Sequence, residues 1–162
     1  MLEELIPLAA RVAETLKARG QTVAVADGAT GGLMSAGLLT IPGGTSFYVG
    51  GGVVYSLKGR EILLDLDVAA LKGTPSVTEP HAMLQARAIR DRFGADWGAA
   101  ESGSAGPGKH PLGIEAGISA IAVVGPGVEL SRTVRTGHED RVRNMQSFAL
   151  AAIGLLAEAL EV

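Results

Sequence analysis

VAVADGATGG, residues 23–32, is the stretch on which the fold of this chain turns. Four apolar residues end in Asp27, and a turn carrying Gly31-Gly32 then leads into LMSAGLLT, residues 33–40, which can continue as a helix. A buried strand, a tight turn and a helix start form the usual place for a site in an α/β fold. Gly31 and Gly32 leave room for a ligand to approach the backbone. Free N–H groups at a helix start attract anions. The same glycines also suit a tight turn that holds nothing, because one glycine pair is a weak signal.

Upstream, Leu5, Ala9, Val12 and Leu16 share one helical face within residues 2–19, and Gly20 can cap its end. That helix is expected to cover one face of a sheet. Downstream, a turn over Ile41 to Thr45 precedes a second strand, SFYVGGGVVY at residues 46–55. Three consecutive glycines weaken it as a strand and point to a closely packed neighbour or a ligand. Residues 57–64 and 67–72 read as short helices. Thr78 can N-cap a helix over Glu79 to Phe93, with Pro80 in its first turn and Gly94 after its end.

Residues 96–101 read as a third, poorer strand, and SGSAGPGKHPLG at 102–113 as a loop. Residues 117–124 and 128–135 are strands joined by Gly125-Pro126-Gly127, hence a hairpin. A last helix runs from about Glu139 to Leu160. Helices separate most strands, which argues for an α/β sheet covered on both faces. The hairpin requires an antiparallel pair, so the sheet is expected to be mixed.

With 162 residues the chain is expected to form a single domain, 1–162. Hydrophobic residues make up 47% and aromatics 4%, so the core must be aliphatic, and 23 glycines permit close packing. Cysteine is absent, which excludes disulfides, thiolate metal sites and a cysteine nucleophile. A net charge of −3 gives no support to nucleic acid or a membrane surface as partner. Glu3 and Glu4 do not suit a signal peptide, and no apolar run reaches spanning length, so a soluble, cytoplasmic protein is expected. His81, His110 and His138 lie far apart without ligand spacing. They read as surface or helix-terminal histidines, and neither metal nor cofactor is expected. Arg132, Arg135, Arg141 and Arg143 are the better anion candidates, though surface charge is their default role.

From about residue 5 to residue 158 the chain resembles the CinA C-terminal domain family, of the nicotinamide-nucleotide amidase type. Members typically read A-E-S-C-T-G-G where this chain reads Ala26-Asp27-Gly28-Ala29-Thr30-Gly31-Gly32. A second motif, roughly Y-S-N-x-x-K, is here Tyr55-Ser56-Leu57-Lys58-Gly59-Arg60. A third, roughly T-G-x-A-G-P, is here Ser102-Gly103-Ser104-Ala105-Gly106-Pro107. Gly117, Gly137 and Arg143 fit further family positions. The resemblance implies a three-layer α/β/α sandwich with a mixed five-stranded sheet. It also implies a homo-oligomer, most simply a dimer.

The family reaction removes the amide nitrogen of nicotinamide mononucleotide as ammonia, and the resemblance implies a serine nucleophile with lysine and tyrosine handling the proton. A hydroxyl needs a nearby base, and lysine can act as one where burial lowers its pKa. Arginine holds its proton. Gly28 and Arg60 therefore offer neither nucleophile nor base at the family positions, while Tyr55 is kept. Lys58 lies two residues before Arg60, turned about 200° away on a helix, and reads as a surface lysine. Thr30 reads as a cap for the following helix. Ser102 and Ser104 read as ligand hydrogen-bonders or turn residues rather than nucleophiles. Asp27 can accept from a ribose or cap the turn.

The expected ligand-binding set is Asp27, Thr30, Gly31, Gly32, Tyr55, Arg60, Ser102, Gly103, Ser104 and Gly106. The favoured function is a noncatalytic or repurposed pocket for a small molecule, a nucleotide or other phosphorylated ligand. The alternatives are an amidohydrolase running on replacement residues and a purely structural oligomerisation domain. Serine at 28 with lysine at 60 is expected to return a nucleophile and a base, unless Gly28 holds a positive φ.

Overall fold

The computed structural model describes residues 1–162. Its five strands are β1 (Val23–Asp27), β2 (Tyr48–Val53), β3 (Trp97–Ser104), β4 (Ile118–Gly125) and β5 (Val128–Arg135). They form one sheet in the order β2-β1-β3-β4-β5. β1 is parallel to both its neighbours, whereas β4 and β5 run antiparallel, so the sheet is mixed as expected. The helices are α1 (Ile6–Arg19), α2 (Leu33–Leu39), α3 (Leu57–Leu64), α4 (Glu79–Phe93) and α5 (Arg141–Ala159).

The strand period of two divides the core into two layers. Val23 and Val25 of β1 pack with Val12 and Leu16 of α1, Leu38 of α2, and Ile153 and Leu156 of α5. Ala24 and Ala26 face the other way, onto Ala82, Ala86 and Ile89 of α4 and Leu64 of α3. The alanine-rich face lets α4 lie directly on the sheet, where a Cβ at Gly98 would sit 2.1 Å from the Ala86 carbonyl oxygen. The glycines of β2 have a packing cause too. A Cβ at Gly50 would meet the Phe93 ring at 2.4 Å, and one at Gly51 the Val25 carbonyl oxygen at 2.2 Å.

Three expectations need correction. Residues 68–73 form turns rather than the helix expected over 67–72: one i→i+4 bond, Leu71 N–H to the Asp67 carbonyl (3.1 Å), gives way to three-residue turns, Lys72 to Ala69 (3.3 Å) and Thr74 to Leu71 (3.1 Å), and Gly73 at φ 82° ends the run. Ser102 to Ser104 belong to β3, not to the loop, because they pair with Ala120, Ser119 and Ile118 of β4. Composition alone hid this, since small polar residues are poor strand formers. The first helix is preceded by a separate 3₁₀ turn, Leu2–Glu4, and Pro7 sits in the first turn of α1.

Because β1, β2 and β3 run parallel, Asp27, Val53 and Ser104 finish at the same edge of the sheet. Ligands in open α/β sheets bind outside such carboxyl ends.

Candidate functional site

The turn after β1 is held from within. Asp27 is fully buried; its Oδ1 accepts from the Thr30 hydroxyl (2.7 Å) and Met34 N–H (3.0 Å). Its Oδ2 accepts from the Ser35 hydroxyl (2.7 Å) and Ser35 N–H (3.3 Å). Of the two roles open to Asp27, the observed contacts are those of a cap, and they occupy the N–H groups at the start of α2. Thr30 is equally buried, and Gly31 and Gly32 take φ 64° and 102° to turn the chain into the helix. None of these four residues lines the cleft described below.

Beneath the turn lies a group that the sequence reading passed over. Glu101 of β3 is fully buried, with Oε2 accepting from Gly28 N–H (3.1 Å) and Thr30 N–H (3.0 Å) and Oε1 from the Ser119 hydroxyl (2.7 Å). Burial pushes its carboxyl up from the ordinary range; the Ser119 and Thr30 donors oppose this, and the Asp27 charge adds to it. A lone acid in an alanine-rich strand was the available signal. A Cβ at Gly28 would lie 2.3 Å from the Glu101 carbonyl oxygen and 3.1 Å from Oε2. Gly28 does not hold a positive φ, so the requirement for glycine here is steric.

Over this turn opens a cleft of two adjoining lobes, each of about 150 Å³, which share Ala29, Tyr55, Gly103, His110 and Pro111. The inner lobe adds Gly28, Val54, Arg60 and Ser102. The outer lobe adds Ser104 through Lys109 and Arg141. Of the expected ligand set the fold thus brings together Tyr55, Arg60, Ser102, Gly103, Ser104 and Gly106. No carboxylate lines either lobe.

Arg60 dominates the inner lobe. It rides on α3, whose N-cap Ser56 accepts from Gly59 N–H at 3.0 Å. Only 7% of the residue is exposed, its Nε has no partner, and no carboxylate pairs with it. Burial lowers its pKa, but a guanidinium remains charged at neutral pH. Lys58, by contrast, points away with a side chain 72% exposed and pairs with Glu61 at 3.0 Å.

His110 corrects its expected surface placement: it lies between the lobes, with Nδ1 accepting from Leu112 N–H at 3.1 Å. Burial and then the Arg60 charge push its pKa down, favouring the neutral ring with its proton on Nε2. His81 is helix-terminal, in the first turn of α4, and is buried there. Arg141, from the start of α5, donates to the Gly106 carbonyl and, at 3.3 Å, to the Tyr55 hydroxyl. Asn144, also unforeseen, donates to the carbonyls of Ala105 (2.9 Å) and His138 (3.0 Å), tying the outer loop to α5.

The Ser102 hydroxyl accepts from Val77 N–H at 3.0 Å and is hydrogen-bonded to no base. The Ser104 hydroxyl reaches the Ile114 carbonyl at 3.4 Å. No cluster of three metal-ligating side chains exists, and no helix is long and apolar enough to cross a membrane. The arrangement is suited to seating negative charge rather than to activating a nucleophile.

Known proteins share both the sequence and this fold. The CinA-like protein of Synechococcus sp. (strain CC9902) is 39% identical over 118 residues, covering 73% of this chain and 28% of the relative. That of Chlorobaculum tepidum is 37% identical over 158 residues, covering 93% of this chain and 37% of the relative. The chain thus spans about a third of the length of these curated relatives. The crystal structure of a competence-damaged protein (CinA) superfamily protein from Klebsiella pneumoniae 700603 superposes with a TM-score of 0.89 at 28% identity, covering 97% of this chain and 98% of that one. The model of the CinA C-terminal domain matches residues 5–160, so the chain belongs to the CinA C-terminal domain family.

Proposed function

We propose that this domain binds a small anionic molecule, a nucleotide or another phosphorylated compound, without hydrolysing it. The observation that carries this reading is Arg60: a buried guanidinium, unpaired within the protein, facing a cleft without carboxylates. A buried charge is costly until something of opposite sign meets it, and a ligand oxyanion can supply that. The turn at Gly28 supplies backbone only, and Arg60 cannot accept a proton. Titration calorimetry with nicotinamide mononucleotide, adenosine monophosphate and free phosphate should detect binding, weakened by Arg60→Ala by about 1–3 kcal/mol. Absence of binding by all three probes at millimolar concentration refutes it.

One observation favours a second reading, an amidohydrolase on replacement residues: Ser102 and His110 line the same lobe. Ammonia release from nicotinamide mononucleotide separates the two. The first reading expects background release, because loss of a nucleophilic serine costs on the order of 10⁶ in rate in a serine protease. Robust release abolished by Ser102→Ala establishes the second.

A further inference from the structure

The two lobes of the cleft differ in charge and in exposure. The inner lobe holds one cation, Arg60, with its Nε wholly shielded from solvent. The outer lobe holds two, Lys109 and Arg141, on a glycine-rich loop and a helix start. The carboxylates nearest the turn, Asp27 and Glu101, point into hydrogen bonds with Thr30, Met34, Ser35, Gly28 and Ser119; neither lines a lobe or pairs with Arg60.

Resting on the reading of the cleft as a small-molecule site, we propose that its ligand is a phosphorylated carboxylic acid. Its carboxylate sits on Arg60 in the inner lobe and its phosphate between Lys109 and Arg141 in the outer lobe. Charge and shape both support this order. A single guanidinium matches the single charge and planar fork of a carboxylate. A phosphate carries about −1.5 to −2 at pH 7 and three acceptor oxygens, which two cations on a more open rim can meet. His110, neutral between the lobes, adds no fourth positive charge.

The consequence is selectivity against the corresponding amide. A carboxamide offers no charge, so binding it would leave Arg60 buried and unneutralised. The carboxylate and carboxamide forms of one ligand therefore report directly on the inner lobe, while the phosphate is held constant.

The test is titration calorimetry of the purified chain with nicotinate mononucleotide and nicotinamide mononucleotide as a matched pair of probes. The acid is expected to bind at least about tenfold more tightly than the amide. Arg60→Met is expected to bring the two to within about twofold, whereas Arg60→Lys, which keeps the charge, retains a preference for the acid. Lys109→Ala is expected to weaken both probes by the same factor. Thermal melts confirm that each variant is folded. Equal affinities in the wild type, or an acid preference that survives Arg60→Met, overturn the two-anion proposal and leave the cleft a binding site. Binding of neither nucleotide overturns the proposal, and the underlying reading falls with it when adenosine monophosphate and free phosphate also fail to bind.

Discussion

Replacing Gly28 by alanine is expected to destabilise the domain, even though its backbone lies in a conformation open to any residue. The new Cβ would sit 2.3 Å from the Glu101 carbonyl oxygen, about 1 Å inside ordinary contact, and both atoms are tied to neighbouring parallel strands. Relief requires β1 and β3 to part at this end, which stretches the Gly28 and Thr30 N–H bonds to the buried Glu101. Overpacking of this kind costs about 1–3 kcal/mol. Weakening a hydrogen bond to a buried carboxyl adds about 1–3 kcal/mol. A total near 3 kcal/mol corresponds to a fall in Tm of about 6–12 °C for a domain of this size. Gly154→Ala is the control: it lies inside α5, where a Cβ would meet only Leu8 Cδ1 at 3.9 Å, an ordinary contact. Alanine there is expected to stabilise by about 0.5–1 kcal/mol. Calorimetric melts of both variants decide the matter. Gly28→Ala melting within a degree of wild type would refute the steric reasoning. The same clash overturns the expectation that serine at 28 with lysine at 60 returns a nucleophile and a base. Gly28→Ser with Leu57→Asn and Arg60→Lys is expected to release no more ammonia than wild type.

Arg60→Met is expected to raise the Tm of the ligand-free domain, because it removes an unpartnered buried donor worth about 1–3 kcal/mol; a lower Tm counts against an unpaired charge at this position. His81 Nδ1 lies 2.8 Å from the Thr74 carbonyl oxygen and Nε2 lies 3.0 Å from Gln85 Nε2, the pattern of a neutral ring, and burial holds its pKa down. The folded state then binds fewer protons than the unfolded one, so stability from this group is present above the unfolded value near 6.5 and is lost as pH falls through the folded pKa. Glu101, with its pKa raised, acts in the opposite sense above pH 4.5, so the informative measurement is the difference between wild type and His81→Gln in urea midpoints from pH 7.5 to 5. An identical pH slope in the two proteins rejects a neutral buried His81. A homodimer remains the expected assembly; the edge strand β2 exposes Val49 and Val53, and residues 46–56 carry no charge. Light scattering that finds only monomer at micromolar concentration excludes it.

The sheet was legible because its signals are local. Alternating apolar residues, Thr78 before α4 and the glycines after α1 and α4 each act within a few residues. The boundaries of α3, α4 and β5 fall where the pattern puts them. Ser102 to Ser104 were misread because what makes them a strand is their pairing with β4, which composition does not record. His110 was misread for a related reason: a histidine in a polar loop looks exposed until the loop folds over Arg60.

Gly28 shows what kind of information a single sequence withholds. Read against the family motif, it is a position that has lost a serine. In the folded chain it is paired with Glu101, 73 residues away, whose side chain binds its N–H and whose carbonyl leaves no room for a Cβ. The absence of a side chain at 28 and the presence of an acid at 101 are one packing arrangement. A sequence reading meets them separately, and only the first stands inside a motif. The same pairing bears on the cleft. Glu101 is turned toward Gly28, Thr30 and Ser119 beneath the turn, and no carboxylate lines the inner lobe beside Arg60. Arg60 is the one charged residue lining the inner lobe, and that charge, rather than the missing hydroxyl, is what a ligand entering the cleft would meet.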